Sequence, residues 1–164
     1  MLAHMEMAVV DQYMQRALEA AQRGFEMGNL PVGSVVVKGS EIVGVGRNRH
    51  NETQDPTTHA ELEAIRDAAM KHADQQLSLL EGAVCYTTMM PCAMCAGALI
   101  RFGFSKVVVG ETTSYQASGS DELMRRQGVE IEIHEHPELI ALVERYHAVN
   151  ESPASRPGRP TLKY

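Results

Sequence analysis

At 164 residues, with 44% hydrophobic and 22% charged residues, the chain has the size and composition of one soluble globular domain. Its net charge of −6 provides no overall positive field to gather nucleic acid, so a small-molecule substrate is expected and a nucleic-acid partner is not. No run approaches the roughly 18 consecutive apolar residues of a membrane span. There is also no basic segment leading into an apolar core, and three cysteines make no disulfide framework. Cytoplasmic residence is therefore expected.

The chain opens with a helix over Met7–Met27, because Val10, Tyr13, Met14, Ala17, Leu18 and Ala21 recur at three- and four-residue spacing. Gly24, Gly28 and Asn29 end it. Val32–Lys38 reads as a strand, Gly39-Ser40 as a tight turn, and Glu41–Gly46 as the returning strand. A polar loop, Arg47–Thr57, follows. Thr57 or Thr58 then caps a helix that runs to about His72 and carries His59 and Glu61 in its first turn. Val84–Thr87 is a short buried strand leading to Pro91 and a second helix that ends near Arg101. Strands at Lys106–Gly110 and Glu130–His134 alternate with helices at Ser120–Gln127 and Pro137–Val149. This order implies an α/β fold, a mixed five-stranded sheet between layers of helices spanning residues 1–150. Residues 151–164, with three prolines, read as an extended C-terminal arm.

The chemistry concentrates in Pro91-Cys92-Ala93-Met94-Cys95 and His59-Ala60-Glu61. Two cysteines three residues apart at a helix start share one face, and the positive end of the helix favours their thiolates. Pro91 suits the first turn because it has no N–H to leave unpaired. With His59 as a neutral third donor, a zinc ion would keep one position open for water, as a catalytic site requires. Glu61 can reach that water and move its protons. For this to work, the two helices must lie side by side with converging N-termini. A redox pair or half of a structural zinc site would also contain CxxC. A redox pair, however, needs neither His59 nor Glu61. A structural site needs a fourth ligand, and the only spare cysteine, Cys85, sits in an apolar strand as a small buried thiol. His4, His72, His134, His136 and His147 have no partners at ligand spacing and read as surface groups.

The H-x-E…P-C-x-x-C pattern resembles the signature of the zinc nucleobase deaminases, a cytidine deaminase-like superfamily. From Tyr86 to about Arg126 the chain is similar to fungal-type cytosine deaminase. The similarity lies in Tyr86-Thr87-Thr88, Pro91-Cys92 through Cys95, Gly97-Ala98, Val108-Val109-Gly110-Glu111 and Gly119. Pro31-Val32-Gly33 and Gly46-Arg47-Asn48 match as well, and Arg126-Gln127-Gly128-Val129-Glu130 more loosely. Asn48…Asp55-Pro56-Thr57-Thr58-His59-Ala60-Glu61 looks more like tRNA adenosine deaminases and bacterial guanine deaminases.

The resemblance implies the three-layer α-β-α cytidine deaminase-like fold, a homodimer, and a zinc ion held by His59, Cys92 and Cys95 with Glu61 as proton shuttle. It places Asn48, eleven residues before His59, on the substrate base, Tyr115 stacked against it, Val32 as an apolar wall and Ala60 beside it. Read alone, Asn48 also fits a turn after a strand and Tyr115 an ordinary loop. The implied reaction is hydrolytic deamination of a free base, cytosine or isocytosine first, with a guanine- or triazine-type base or a tRNA adenosine as alternatives. Two departures bear on that choice. The chain has no tryptophan and no acid after Glu151, where fungal enzymes close over the base. Met90 also stands before Pro91, where the tRNA and guanine enzymes carry glutamate. The terminal Tyr164 is similar to the last residue of guanine deaminases.

Overall fold

The computed structural model describes residues 2–115 and 119–150, and of these the backbone alone for residues 2–11 and 75–77. The expected C-terminal arm with Tyr164, the Val10 side chain and His4 lie outside the described residues. Helix α1 (Leu2–Glu26) precedes the hairpin β1 (Gly33–Lys38) and β2 (Glu41–Arg47). Then come α2 (His50–Thr53), α3 (Ala60–Lys71), a 3₁₀ segment (Ala73–Leu79), β3 (Val84–Thr87) and α4 (Ala93–Arg101). Strand β4 (Lys106–Val109), α5 (Ser120–Arg126), β5 (Glu130–Ile133) and α6 (Pro137–Asn150) complete the order. The sheet runs β2-β1-β3-β4-β5. Strand β1 is antiparallel to both β2 and β3, while β3, β4 and β5 are parallel, so the sheet is mixed and five-stranded as expected.

Alternation along the strands divides the core in two. Val35, Val37, Tyr86 and Val108 face α1 and α6. Val36, Cys85, Val107 and Val109 face α3, α4 and α5. The α3 side is packed unusually close. A Cβ on Gly44 would fall 2.2 Å from Ala64 O, and one on Gly46 would fall 2.2 Å from Ala64 N. Ala60, Ala64 and Ala68 recur every four residues on the buried side of α3, so small residues meet small residues and the helix axis drops toward β2. This close seat fixes the height of the N-terminus of α3, and with it His59.

The loop expected over Arg47–Thr57 contains the single turn α2, and the connection after α3 contains the 3₁₀ segment. Both are too short and too polar to show an apolar period. The expected threonine cap is also corrected. The N-cap of α3 is His59 itself, with no capping side chain. Asp55 draws both threonines backward: its Oδ1 accepts from Thr57 N at 2.8 Å and Thr57 Oγ1 at 2.7 Å, while Thr58 Oγ1 donates to Asp55 O at 2.8 Å. Pro91 lies one residue outside α4, whose N-cap is Cys92. Its carbonyl accepts a hydrogen bond from Ser120 Oγ at 2.7 Å, which ties the start of α5 to the start of α4. Among the described residues no helix is long and apolar enough to cross a membrane.

Candidate metal and deaminase site

The site lies beyond the C-terminal ends of the parallel strands, where open α/β sheets bind ligands. His59 and Cys92 are the N-caps of α3 and α4, and Cys95 is the third residue of α4. Both helices therefore bring their first donor to the positive end of the helix dipole. His59 Nδ1 stands 3.6 Å from Cys92 Sγ and 3.6 Å from Cys95 Sγ. All three donor atoms lie within 4.8 Å of one another, the only such group of three among the described residues. A zinc ion takes thiolate at about 2.3 Å and imidazole at about 2.0 Å, so a tetrahedral arrangement separates N from S by about 3.6 Å. The observed spacing fits that edge.

The protonation of the donors fits a cation as well. The Cys92 thiol is pulled down to about 4, first by a hydrogen bond from Cys95 and then by His59. Cys95 is pushed up as the donor to that thiolate, and His59 is raised by the same partner. Zinc binds cysteine as thiolate and histidine as neutral imidazole, so the same three groups would give up protons to a bound cation. Cys85 does not join them. It is fully buried, lies 3.3 Å from Ser34 Oγ, and burial pushes its thiol up to about 12.

Glu61 is 4% exposed, and burial raises its pKa above the usual carboxylate range. Thr87 Oγ1, at the end of β3, lies 3.3 Å from Glu61 Oε1 and 3.2 Å from Met89 O. Thr87 was not a candidate from the sequence, because its role depends on β3 ending beside the first turn of α3.

Val32, Ala60 and Tyr115 are brought together in one apolar cluster with Met89 and Val143. The last two carry no sequence signal for the site: Met89 precedes the donor motif without belonging to it, and Val143 lies on α6, 82 residues after Glu61. Asn48 is 7% exposed. Its N–H donates to Val32 O at 2.9 Å and its Oδ1 accepts from His50 N at 3.1 Å, which leaves the amide NH2 as the group turned away from the turn. Met90 is buried on the α3–α4 side of the sheet. The histidines expected at the surface are half-buried: His72, His134, His136 and His147. His134 Nε2 lies 2.6 Å from Glu132 Oε1, and its ring packs against that of His136.

The model of the cytidine and deoxycytidylate deaminase zinc-binding region matches residues 7–111. The cytosine deaminase of Candida albicans is 28% identical over 141 residues, covering 85% of this chain and 89% of that one. The tRNA-specific adenosine deaminase of Aquifex aeolicus is 39% identical over 98 residues, 60% of this chain. The match spans 63% of that relative's length. In fold, the chain is similar to NE0047, solved in complex with 2,6-diaminopurine, with a TM-score of 0.75 at 21% identity over 86% of this chain and 82% of that one.

Proposed function

The chain belongs to the cytidine and deoxycytidylate deaminase zinc-binding family, and on that premise we propose that it deaminates a free pyrimidine base, cytosine or isocytosine, releasing ammonia. The observation that carries the chemistry is Glu61. It is a buried carboxyl two residues from one donor of a three-donor cradle, and the adjoining Ala60 belongs to an apolar cluster with Val32, Met89 and Tyr115. His59, Cys92 and Cys95 would hold zinc, which supplies a Lewis acid that makes water a nucleophile near neutral pH. Glu61 takes a proton from that water and delivers it to a ring nitrogen. Later it protonates the departing amine, so C–N is broken, C=O is formed and ammonia leaves. Burial raises its pKa, which suits a carboxyl that both takes up and gives back a proton. Val32, Ala60 and Tyr115 exclude water and bracket the base, and the Asn48 amide meets an acceptor on the base edge.

Paired charges support a free base over a polynucleotide. Arg47 lies 2.7 Å from Glu52, Arg49 lies 3.3 Å from both Glu52 and Glu63, Arg66 is paired with Glu63, and Lys71 is 2.7 Å from Asp67. A phosphate backbone would have to break these pairs to contact the four cations that surround α2 and α3. The Candida albicans cytosine deaminase also matches along most of both chains. The 39% identity to a tRNA-specific adenosine deaminase over 60% of the chain supports a second reading, a wobble adenosine. The assembly we expect is a cytoplasmic homodimer. Ala93, Met94 and Gly97 on α4 and Leu123 on α5 are exposed, giving a second copy an apolar face to cover. Light scattering that gave only monomer would refute it.

The deciding measurement is ammonia release by zinc-loaded protein from cytosine, isocytosine, guanine, adenine and cytidine, with a tRNA anticodon stem-loop alongside. Turnover of a pyrimidine base alone is expected. Turnover of guanine or the stem-loop alone overturns the substrate, and release from none of them overturns the function.

A further inference from the structure

Resting on the reading of Asn48 as the base contact, we propose that Asn29 is a positioning residue that orients the Asn48 amide through the α2 turn. The anchor is the end of α1. Gly28, at φ 79°, closes it with Gly28 N bonded to Phe25 O at 3.0 Å and Asn29 N to Gly24 O at 2.9 Å. This paired closure fixes Asn29 to a 25-residue helix. The Asn29 side chain is fully buried.

The N-cap of α2 is Arg49, which provides no capping side chain. The first N–H groups of the turn are satisfied instead by two asparagine oxygens from outside it. Asn48 Oδ1 takes His50 N at 3.1 Å. Asn29 Oδ1 takes Asn51 N at 3.1 Å and Glu52 N at 3.3 Å. Asn29 Nδ2 donates to Glu52 Oε2 at 3.3 Å and reaches Met27 O at 3.4 Å. Asn51 Nδ2 clasps back onto Gly28 O at 2.8 Å and meets Tyr146 OH of α6 at 3.3 Å.

The consequence lies in the geometry of an amide, which has one accepting and one donating end. With Oδ1 of Asn48 oriented by His50 N–H, the amide is held in one rotation with its NH2 end presented to a ligand. That assignment lasts only while the turn keeps His50 N–H aimed at Asn48, and Asn29 is the non-local group that keeps it aimed. The role needs an amide rather than any polar residue. An aspartate would still accept the two N–H groups but would face the Glu52 carboxylate.

The test compares Asn29→Ala, Asn29→Asp and the pair Asn29→Asp with Glu52→Gln, in which the new glutamine donates to the new carboxylate. Zinc content, KM and kcat for the preferred base, and amide exchange at His50, Asn51 and Glu52 are measured together. Asn29→Ala is expected to keep zinc and to raise KM roughly tenfold with kcat within about twofold, the pattern of lost ground-state and transition-state binding in equal measure. Exchange at Asn51 and Glu52 should quicken by at least about tenfold. The paired variant should recover KM to within about threefold of Glu52→Gln alone, the control for loss of the Arg47 and Arg49 pairs. A KM that stays put while the turn exchanges faster overturns the proposal, as does a paired variant no better than Asn29→Asp. If Asn29→Ala does not fold, those two aspartate variants decide. If the unaltered protein deaminates no base, the functional reading fails and exchange alone judges the clamp: unchanged protection at His50 and Asn51 in Asn29→Ala overturns it.

Discussion

The donor cradle and the α2 turn are held by opposite means. The cradle sits on two helix N-termini seated by apolar packing: Ala64 and Ala68 of α3, and Ala96 and Leu99 of α4, lie in one buried cluster with Val36, Val107 and Val109. The turn buries no residue of its own and is held by side-chain hydrogen bonds and ion pairs to Asn29, Arg47 and Tyr146. Packing resists small displacements, whereas a polar net can be retuned one bond at a time. Changes in the cradle should therefore abolish chemistry, and changes in the turn should shift affinity and pH response.

The largest effect is expected from Cys95→Ser. It removes a thiolate from the buried end of the cradle, so zinc stoichiometry by atomic absorption should collapse and turnover with it. A variant that keeps one zinc per chain and full turnover would refute the ligand set. Next is Glu61→Gln, which keeps size and polarity but cannot shuttle protons. Turnover should fall by roughly 10²–10⁴ while zinc content and Tm stay near normal. An active Glu61→Gln enzyme would sink the mechanism.

Gly46→Ala probes the seat of the cradle without touching a donor. Its Cβ would lie 2.2 Å from Ala64 N and 2.3 Å from Ala60 O, both backbone atoms, so α3 must lift. The cost should be about 3 kcal/mol, seen as a drop of roughly 10 °C in Tm, with weakened zinc binding. A tolerant Gly46→Ala would show that β2 and α3 can separate without consequence.

The smallest effect concerns the turn and pH. The Glu52 carboxyl is held below its ordinary value of 4.5, first by its hydrogen bond from Arg47. A depressed folded-state pKa contributes stability above 4.5 that is lost as pH falls through the lower folded value. Urea midpoints at pH 7 and about pH 3.5 should therefore differ more for the natural chain than for Glu52→Gln. Equal differences would remove Glu52 from the account.

Legibility in the sequence follows the same division. His59, Glu61, Cys92 and Cys95 could be read because their chemistry is carried by residue type and close spacing at helix starts, and the structure brings the three donors to within 4.8 Å. Element order could be read from periodicity. The N-caps could not. Thr57 and Thr58 have the right chemistry for a cap, but Asp55 competes for both hydroxyls, and that competition is decided by the path of the loop. Met89, Val143 and Asn29 carry no motif, and Thr87, though part of a matching stretch, shows its contact with Glu61 only where the fold lays β3 beside α3.

By itself, then, the sequence determined the α/β alternation and the donor set, because these depend on local period and intrinsic side-chain chemistry. The tertiary structure decided how deep Glu61 is buried, how closely α3 sits on Gly44 and Gly46, and which end of the Asn48 amide is free. Those features arise from contacts between segments far apart in the chain, where burial and steric exclusion act on residues that no local pattern connects.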